Sequence, residues 1–169
     1  MAVRASYESI FRGGKDYAAA LVAAWRVRNV DELDRGGASL LGAAGSYGHA
    51  DVCAWVLDQG GAIDIRGRDD GRTPLLTALW ALSGGANQDF ILHRVRLLLD
   101  RGAWVTAADE QGMTALHYAA DCVEEAPGLV GELLDRGAAP DARTAWGQTP
   151  LIRAAKKGTP GSTAAGFTP

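Results

Sequence analysis

Two short patterns alternate along this chain, and the distances between them leave little freedom in how it can fold. The first is Gly-x-Thr-Pro-Leu, present as Gly71-Arg72-Thr73-Pro74-Leu75 and Gly147-Gln148-Thr149-Pro150-Leu151. Gly112-Met113-Thr114-Ala115-Leu116 is a near copy, and Gly36-Gly37-Ala38-Ser39-Leu40 a worn one. The second pattern is Gly-Ala, at Gly61-Ala62, Gly102-Ala103 and Gly137-Ala138. From each of these alanines to the next pattern leucine is 13 residues: Ala62 to Leu75, Ala103 to Leu116, Ala138 to Leu151. From leucine to the following Gly-Ala alanine the distance is 22, 28 and 22, so the variation in length falls inside one segment of the unit. A unit repeated with fixed connections builds a stacked array rather than a single closed core.

The fullest copy runs from Asp109 to Thr144. Gly112 suits a turn that a side chain would forbid, and Thr114 is a good N-cap for a helix carrying Leu116, Ala119 and Ala120 on one stripe. A second helix, Leu129 to Asp135, stops at Gly137, which can supply a left-handed C-cap. Thr114-Ala115-Leu116-His117-Tyr118-Ala119 resembles the Thr-Pro-Leu-His-x-Ala signature of the ankyrin repeat, and Tyr47-Gly48-His49-Ala50-Asp51-Val52 resembles that family's Gly-His-x-Glu turn into its second helix. The resemblance implies an all-α solenoid of stacked helix-turn-helix units with short β-hairpin-like connecting turns. It also implies that His117 ties hairpin to helix, with Leu41, Leu76 and Ile152 in its place elsewhere.

Registered this way, one domain covers residues 1–158, followed by a flexible tail over 159–169. Residues 1–35 form a degenerate N-terminal cap, with Tyr7, Ile10 and Phe11 on a first helix and Leu21 and Val22 facing inward from a second. The alternative is a lone helix, Asp16 to Arg26, after a loose start. Units then follow at 36–67, 68–108 and 109–143, with a partial one at 144–158. The first helix of the 36–67 unit is glycine-rich and is expected to be the soft spot of the array. In the 68–108 unit the extra length is absorbed by lengthening both helices, with a mobile glycine-rich loop at 83–88. The last unit is broken by Gly158-Thr159-Pro160-Gly161, so Leu151, Ile152, Ala154 and Ala155 lack their usual cover.

Composition sets the function classes. Hydrophobic residues make up 47% and charged residues 22%, an ordinary globular balance, and the net charge of -3 supplies no basic footprint for nucleic acid or anionic lipid. The most apolar run, Tyr17 to Trp25, is about half of the ~20 residues a membrane helix needs. Cys53 and Cys122 sit in or beside helical segments rather than in a disulfide framework, which fits a reducing, cytoplasmic setting. No metal or cofactor motif is present: there is no phosphate-binding glycine loop, no CxxC pair and no HExxH.

Enzyme readings reduce to one cluster. Ser46, His49 and Asp51 resemble a nucleophile, base and orienter, and His49 with Cys53 resembles half of a metal site, but each residue is already accounted for by the helix-turn-helix pattern. The chain therefore reads as non-catalytic, without cofactor, a scaffold-like module that binds a partner protein. Carrying the family's variable contact positions over residue by residue places Asp34, Arg35, Gly37, Asp69, Asp70, Arg72, Glu110, Gln111, Met113, Trp146 and Gln148 at the hairpin tips. Trp80, Asp121 and Lys156 follow on the first-helix flank of a concave face. Trp80 could instead pack the lengthened helix, and Trp104 either extends the patch or covers the hairpin. The rival reading is a subunit whose incomplete last unit docks on a copy of itself, on further repeats or on a catalytic chain.

Overall fold

The computed structural model describes residues 30–33, 36–47, 50–83, 88–122, 126 and 128–157; residues 1–29 of the expected N-terminal cap, Asp34, Arg35, His49, the loop at 84–87 and the 159–169 tail lie outside the described residues. Among the described residues seven helices form: α1 (Leu40–Tyr47), α2 (Ala50–Asp58), α3 (Pro74–Ser83), α4 (Gln88–Asp100), α5 (Ala115–Asp121), α6 (Leu129–Asp135) and α7 (Pro150–Lys157). They form two layers. The first helices α1, α3, α5 and α7 each pack on the next, while α2, α4 and α6 pack against the first helix of their own unit, and α4 also against α2.

Each first helix begins the same way. A hydroxyl residue, Ser39, Thr73, Thr114 or Thr149, precedes the first turn; Ser39, Thr73 and Thr149 accept from the amides of Gly42, Leu76 and Ile152 at 2.9, 3.4 and 3.4 Å. Pro74 and Pro150 occupy the first helical position, where an N–H would have no helical acceptor. Leu41, Leu75, Leu76, Leu79 and Leu82 are at most 1% exposed and join α1 and α3 through one continuous core. Each such side chain contributes about 2 kcal/mol through area removed from water.

Successive hairpin tips are bonded to one another through the backbone. Arg68 donates to Gly37 O (2.9 Å), Glu110 to Asp70 O (3.1 Å) and Ala145 to Gln111 O (2.8 Å). Among the described residues no strand forms; the hairpin turns close on single backbone bonds, Gly67 N to Arg72 O (2.9 Å), Asp109 N to Met113 O (3.0 Å) and Thr144 N to Gln148 O (3.0 Å), with an antiparallel bridge between Ala108 and Thr114.

The structure corrects the register of the 36–67 unit by one residue. Gly37, not Gly36, has the positive φ (75°) shared with Gly71, Gly112 and Gly147, so Ser39 is the counterpart of Thr73 and Leu41 that of Leu75. Gly42 rather than Leu41 then stands at the position of His117. At the other end of the unit, Gly60 rather than Gly61 takes the left-handed conformation, φ 86°, that Gly102 and Gly137 take at 89°. The Gly-Gly doublets at 36–37 and 60–61 hid both shifts, because either glycine satisfies the pattern on paper.

Glycine content in α1 also has a packing reason. A Cβ at Gly45 would lie 2.9 Å from Pro74 O, so the missing side chain is what lets α1 and α3 approach as they do. The 68–108 unit lengthens both helices as expected: α3 has 10 residues and α4 has 13, against 8 and 9 in α1 and α2. From the longer α4, Arg94 reaches back to the end of α1, donating from Nε to Gly45 O (2.9 Å) and from Nη2 to Ser46 O (3.2 Å). It is 5% exposed, and burial works against its charge; the negative end of α1 offsets that cost.

Candidate functional site

The hairpin tips and the adjoining flank of the first helices share one surface, and a hydrogen-bonded part of it is centred on Asp109. This carboxylate is 8% exposed. Its Oδ1 accepts from the amides of Gln111 (2.9 Å) and Met113 (2.8 Å), which sets the hairpin, and its Oδ2 accepts from the Tyr118 hydroxyl (2.6 Å). Thr144 does the same for the next tip, accepting from Trp146 N (3.3 Å) and Gln148 N (3.2 Å). Side chains that bond their own turn in this way fix the tip before any partner arrives.

Arg72 crosses from the preceding tip into this network. Its Nε donates to the Tyr118 hydroxyl (2.9 Å) and lies 3.8 Å from Asp109 Oδ2, while Nη1 pairs with Asp70 at 3.2 Å. The guanidinium sits 4.9 Å from the Trp80 ring centroid and 5.8 Å from that of Tyr118, so the cation is held against two aromatic rings. Burial, and then the bond to Asp109, push the Tyr118 phenol well above its usual range, so it remains a hydrogen-bond donor at all physiological pH values. Trp80 stays 44% exposed with Arg72 against it. It neither packs fully into the lengthened helix nor stands free.

His117 lies beneath the tips and is fully buried. Its Nδ1 accepts from Thr114 N (3.1 Å) and lies 2.9 Å from Thr114 Oγ1; Nε2 lies 3.0 Å from Gln148 O. The Nε2–H tautomer fits these contacts, with Nε2 donating to the carbonyl and the single lone pair of Nδ1 shared by the amide and hydroxyl of Thr114. The imidazole thus bonds the residue before α5 and the backbone of the next hairpin.

The expected contact residues divide into groups. Asp70, Arg72 and Trp80 are brought together around Tyr118, and Asp69, Glu110, Gln111 and Trp146 are exposed at the tips, Trp146 by 62%. Met113 is a correction: at 4% exposure it packs inside the core, because its backbone is drawn in by Asp109, and it is not available to a partner. Asp121, Gln148 and Lys156 line a second, open groove of about 360 Å³ with Ser83, Arg153 and Lys157. Within it Arg153 Nε spans both oxygens of Asp121 (3.1 and 3.2 Å), Arg153 Nη2 also donates to Oδ2, and Lys157 donates to Asp121 O. Trp104 is 68% exposed and borders a different groove with Val105 and Arg136, so it neither covers the hairpin nor joins the tips. Tyr118, Asp109 and Arg153 were missed from sequence. The signal for Asp109 was present in its own position, an Asp two and four residues ahead of amides that need an acceptor.

The enzyme cluster does not assemble among its described members. The Ser46 hydroxyl points at Thr77 O (3.5 Å), and Asp51 is exposed. The Cys53 thiol is fully buried and pushed up to about 12 by that burial, which leaves no thiolate at neutral pH.

Known proteins supply the family. A model described as "Ankyrin repeat" matches residues 111–145, the stretch that contains the buried histidine and its hairpin. The chain is an ankyrin-repeat protein. It is 34% identical over 111 residues, 66% of its length, to "SH3 and multiple ankyrin repeat domains protein 1" of Homo sapiens, and equally so to the proteins of that name from Mus musculus and Rattus norvegicus. The matched region spans only 5% of the length of those relatives. Ankyrin repeats stack into extended surfaces used for binding other proteins. Among the described residues no helix is long and apolar enough to cross a membrane.

Proposed function

We propose that this ankyrin-repeat protein is a non-catalytic module that binds a partner protein in the cytoplasm, on the concave face formed by its hairpin tips and first-helix flanks. The observation that carries this reading is the Arg72, Trp80 and Tyr118 cluster: a cation held against two rings, one of them 44% exposed, beside a tip fixed by Asp109. Arginine and tryptophan are the residue types most enriched at binding hot spots, and here their order precedes binding, which lowers its entropic cost. Trp146 at the neighbouring tip extends the patch, and Asp69, Glu110 and Gln111 give it a polar rim. The 1–158 array is the working unit, and Lys156 and Asp121 lie at the far edge of the same face.

The test is capture from a lysate of the source organism with wild type and with a Trp80→Ala, Trp146→Ala double variant whose fold is checked by circular dichroism. Removing a hot-spot aromatic typically costs ~2 kcal/mol or more, enough to lose a partner of modest affinity. A protein retained by the wild type alone supports the assignment. The same proteins captured by both variants place the working surface elsewhere.

A further inference from the structure

The second-layer helices are joined at their C-terminal ends by a ladder of ion pairs. Asp58, the last residue of α2, pairs with Arg101, which follows the last residue of α4, at 3.0 Å. Asp100, the last residue of α4, pairs with Arg136, which follows the last residue of α6, at 2.6 Å. The rule is that each helix offers a terminal aspartate to an arginine just beyond the end of the next helix. Asp135, the last residue of α6, is exposed and has no ion pair among the described residues. Among the described residues the ladder stops there, with the acid facing the place where the next arginine would stand.

That place is also apolar. Leu134, the residue before Asp135, belongs to a groove of about 200 Å³ walled by Val130 and Leu134 of α6 and by Leu151 and Ala154 of α7, with Leu116 and Ala120 of α5 beneath. Leu151 is 77% exposed and Leu134 41%. The groove lies between the first helix of one unit and the second helix of the unit before it. In the body of the array the corresponding surfaces belong to α3 and α2, and α4 packs on both, with Ile91, Val95, Leu98 and Leu99 buried. The pattern of α4 states what the groove accepts: aliphatic side chains at i, i+4 and i+7 or i+8, and a cation one residue past the helix end. Residues 158–169 contain no lysine or arginine and no such aliphatic spacing.

We propose that this groove is a docking site for an amphipathic helix of a partner chain, seated as α4 is seated on α2 and α3, with an arginine or lysine at its C-terminal end pairing with Asp135. The apolar contacts give the affinity and the ion pair sets polarity and register, because only a helix running parallel to α6 brings its end to Asp135.

The probe is a fluorescein-labelled peptide of residues 88–101, the protein's own α4 with Arg101, held helical by a lactam bridge between positions 89 and 93, whose side chains are exposed in α4. Fluorescence polarisation is expected to show saturable binding to the full chain. Leu151→Asp, on a side chain already in solvent, is expected to weaken it about tenfold or more, and Asp135→Lys several-fold. A peptide carrying Arg101→Glu is expected to recover most of that loss against the Asp135→Lys protein and to bind wild type poorly. Three results overturn the proposal. The first is no saturable binding, or binding indifferent to Leu151→Asp and to the charge exchange. The second is a dimer of the chain alone in sedimentation velocity that Leu151→Asp dissociates, which makes a second copy the occupant. The third is a tenfold gain in peptide affinity on Phe167→Asp, which makes the chain's own 158–169 segment the occupant. None of these readouts depends on Trp80 or Trp146, so failure here leaves the concave-face assignment standing.

Discussion

The α5 and α7 units start from nearly the same instructions and end in opposite environments. Both have a hairpin whose amides bond a side chain three residues before the tip glycine, Asp109 in one and Thr144 in the other. Both have a threonine before the first helical residue, then a leucine two positions on. Yet Leu116 is 3% exposed and Leu151 77%. At the next position His117 is fully buried while Ile152 is 42% exposed. The difference shows that the local code of the repeat is sufficient for a turn and a helix, whereas burial is conferred by neighbours. α5 has α3 on one side, α7 on the other and α6 beneath; α7 has α5.

Replacing the paired leucines tests this most strongly. Leu116→Ala is expected to destabilise by about 3 kcal/mol, the usual cost of emptying a core position, and Leu151→Ala by less than about 0.5 kcal/mol. Urea unfolding followed by circular dichroism measures both. Equal losses would mean that Leu151 is covered in solution.

Exchanging the next pair probes the polar part of the contrast. His117→Ile strips Thr114 N and Gln148 O of their partner and is expected to cost about 2 kcal/mol, although isoleucine is what α7 itself uses there. The reverse change, Ile152→His, adds no buried bond and is expected to stay within about 0.5 kcal/mol in the same unfolding assay. A loss of stability there as large as in His117→Ile would break the comparison.

The smallest expected difference lies in the caps. Thr114→Ala is expected to cost about 1.5 kcal/mol, since its hydroxyl also bonds the buried His117, and Thr149→Ala about 0.5 kcal/mol. Amide hydrogen exchange sharpens the reading, because losing the Thr149 cap should accelerate exchange in α7 alone, whereas losing the Thr114 cap should spread to α6 and the 144–148 hairpin.

Much of the fold was legible in the sequence for the same reason that α7 forms at all. Threonine caps, glycine turns and leucine spacing act within a few residues, so their marks remain side by side in the chain. Reading failed where a local mark was doubled. Gly36-Gly37 and Gly60-Gly61 each offered two candidates for one backbone conformation, and only the φ values choose. Met113 was misplaced for another reason: its position beside a tip glycine reads as exposed, but Asp109 draws the backbone inward and the side chain follows into the core. The site was less legible still. Arg72 and Trp80 could be placed on one face by register, but the ring that completes the cluster comes from Tyr118, 46 residues beyond Arg72, and no local pattern marks that encounter.

Sequence by itself determined the repeat, its helix starts and stops, and the lengthening of α3 and α4, because these follow from backbone preferences and short-range bonding. Only the tertiary structure decided which of several equivalent residues is buried, which glycine carries the turn, and which charges meet. Those outcomes depend on the helix lying alongside. Arg94 is an interior residue because α1 ends beneath it, Leu151 is a surface residue because no described helix crosses it, and Asp135 has no ion pair among the described residues because the ladder it belongs to advances one helix at a time.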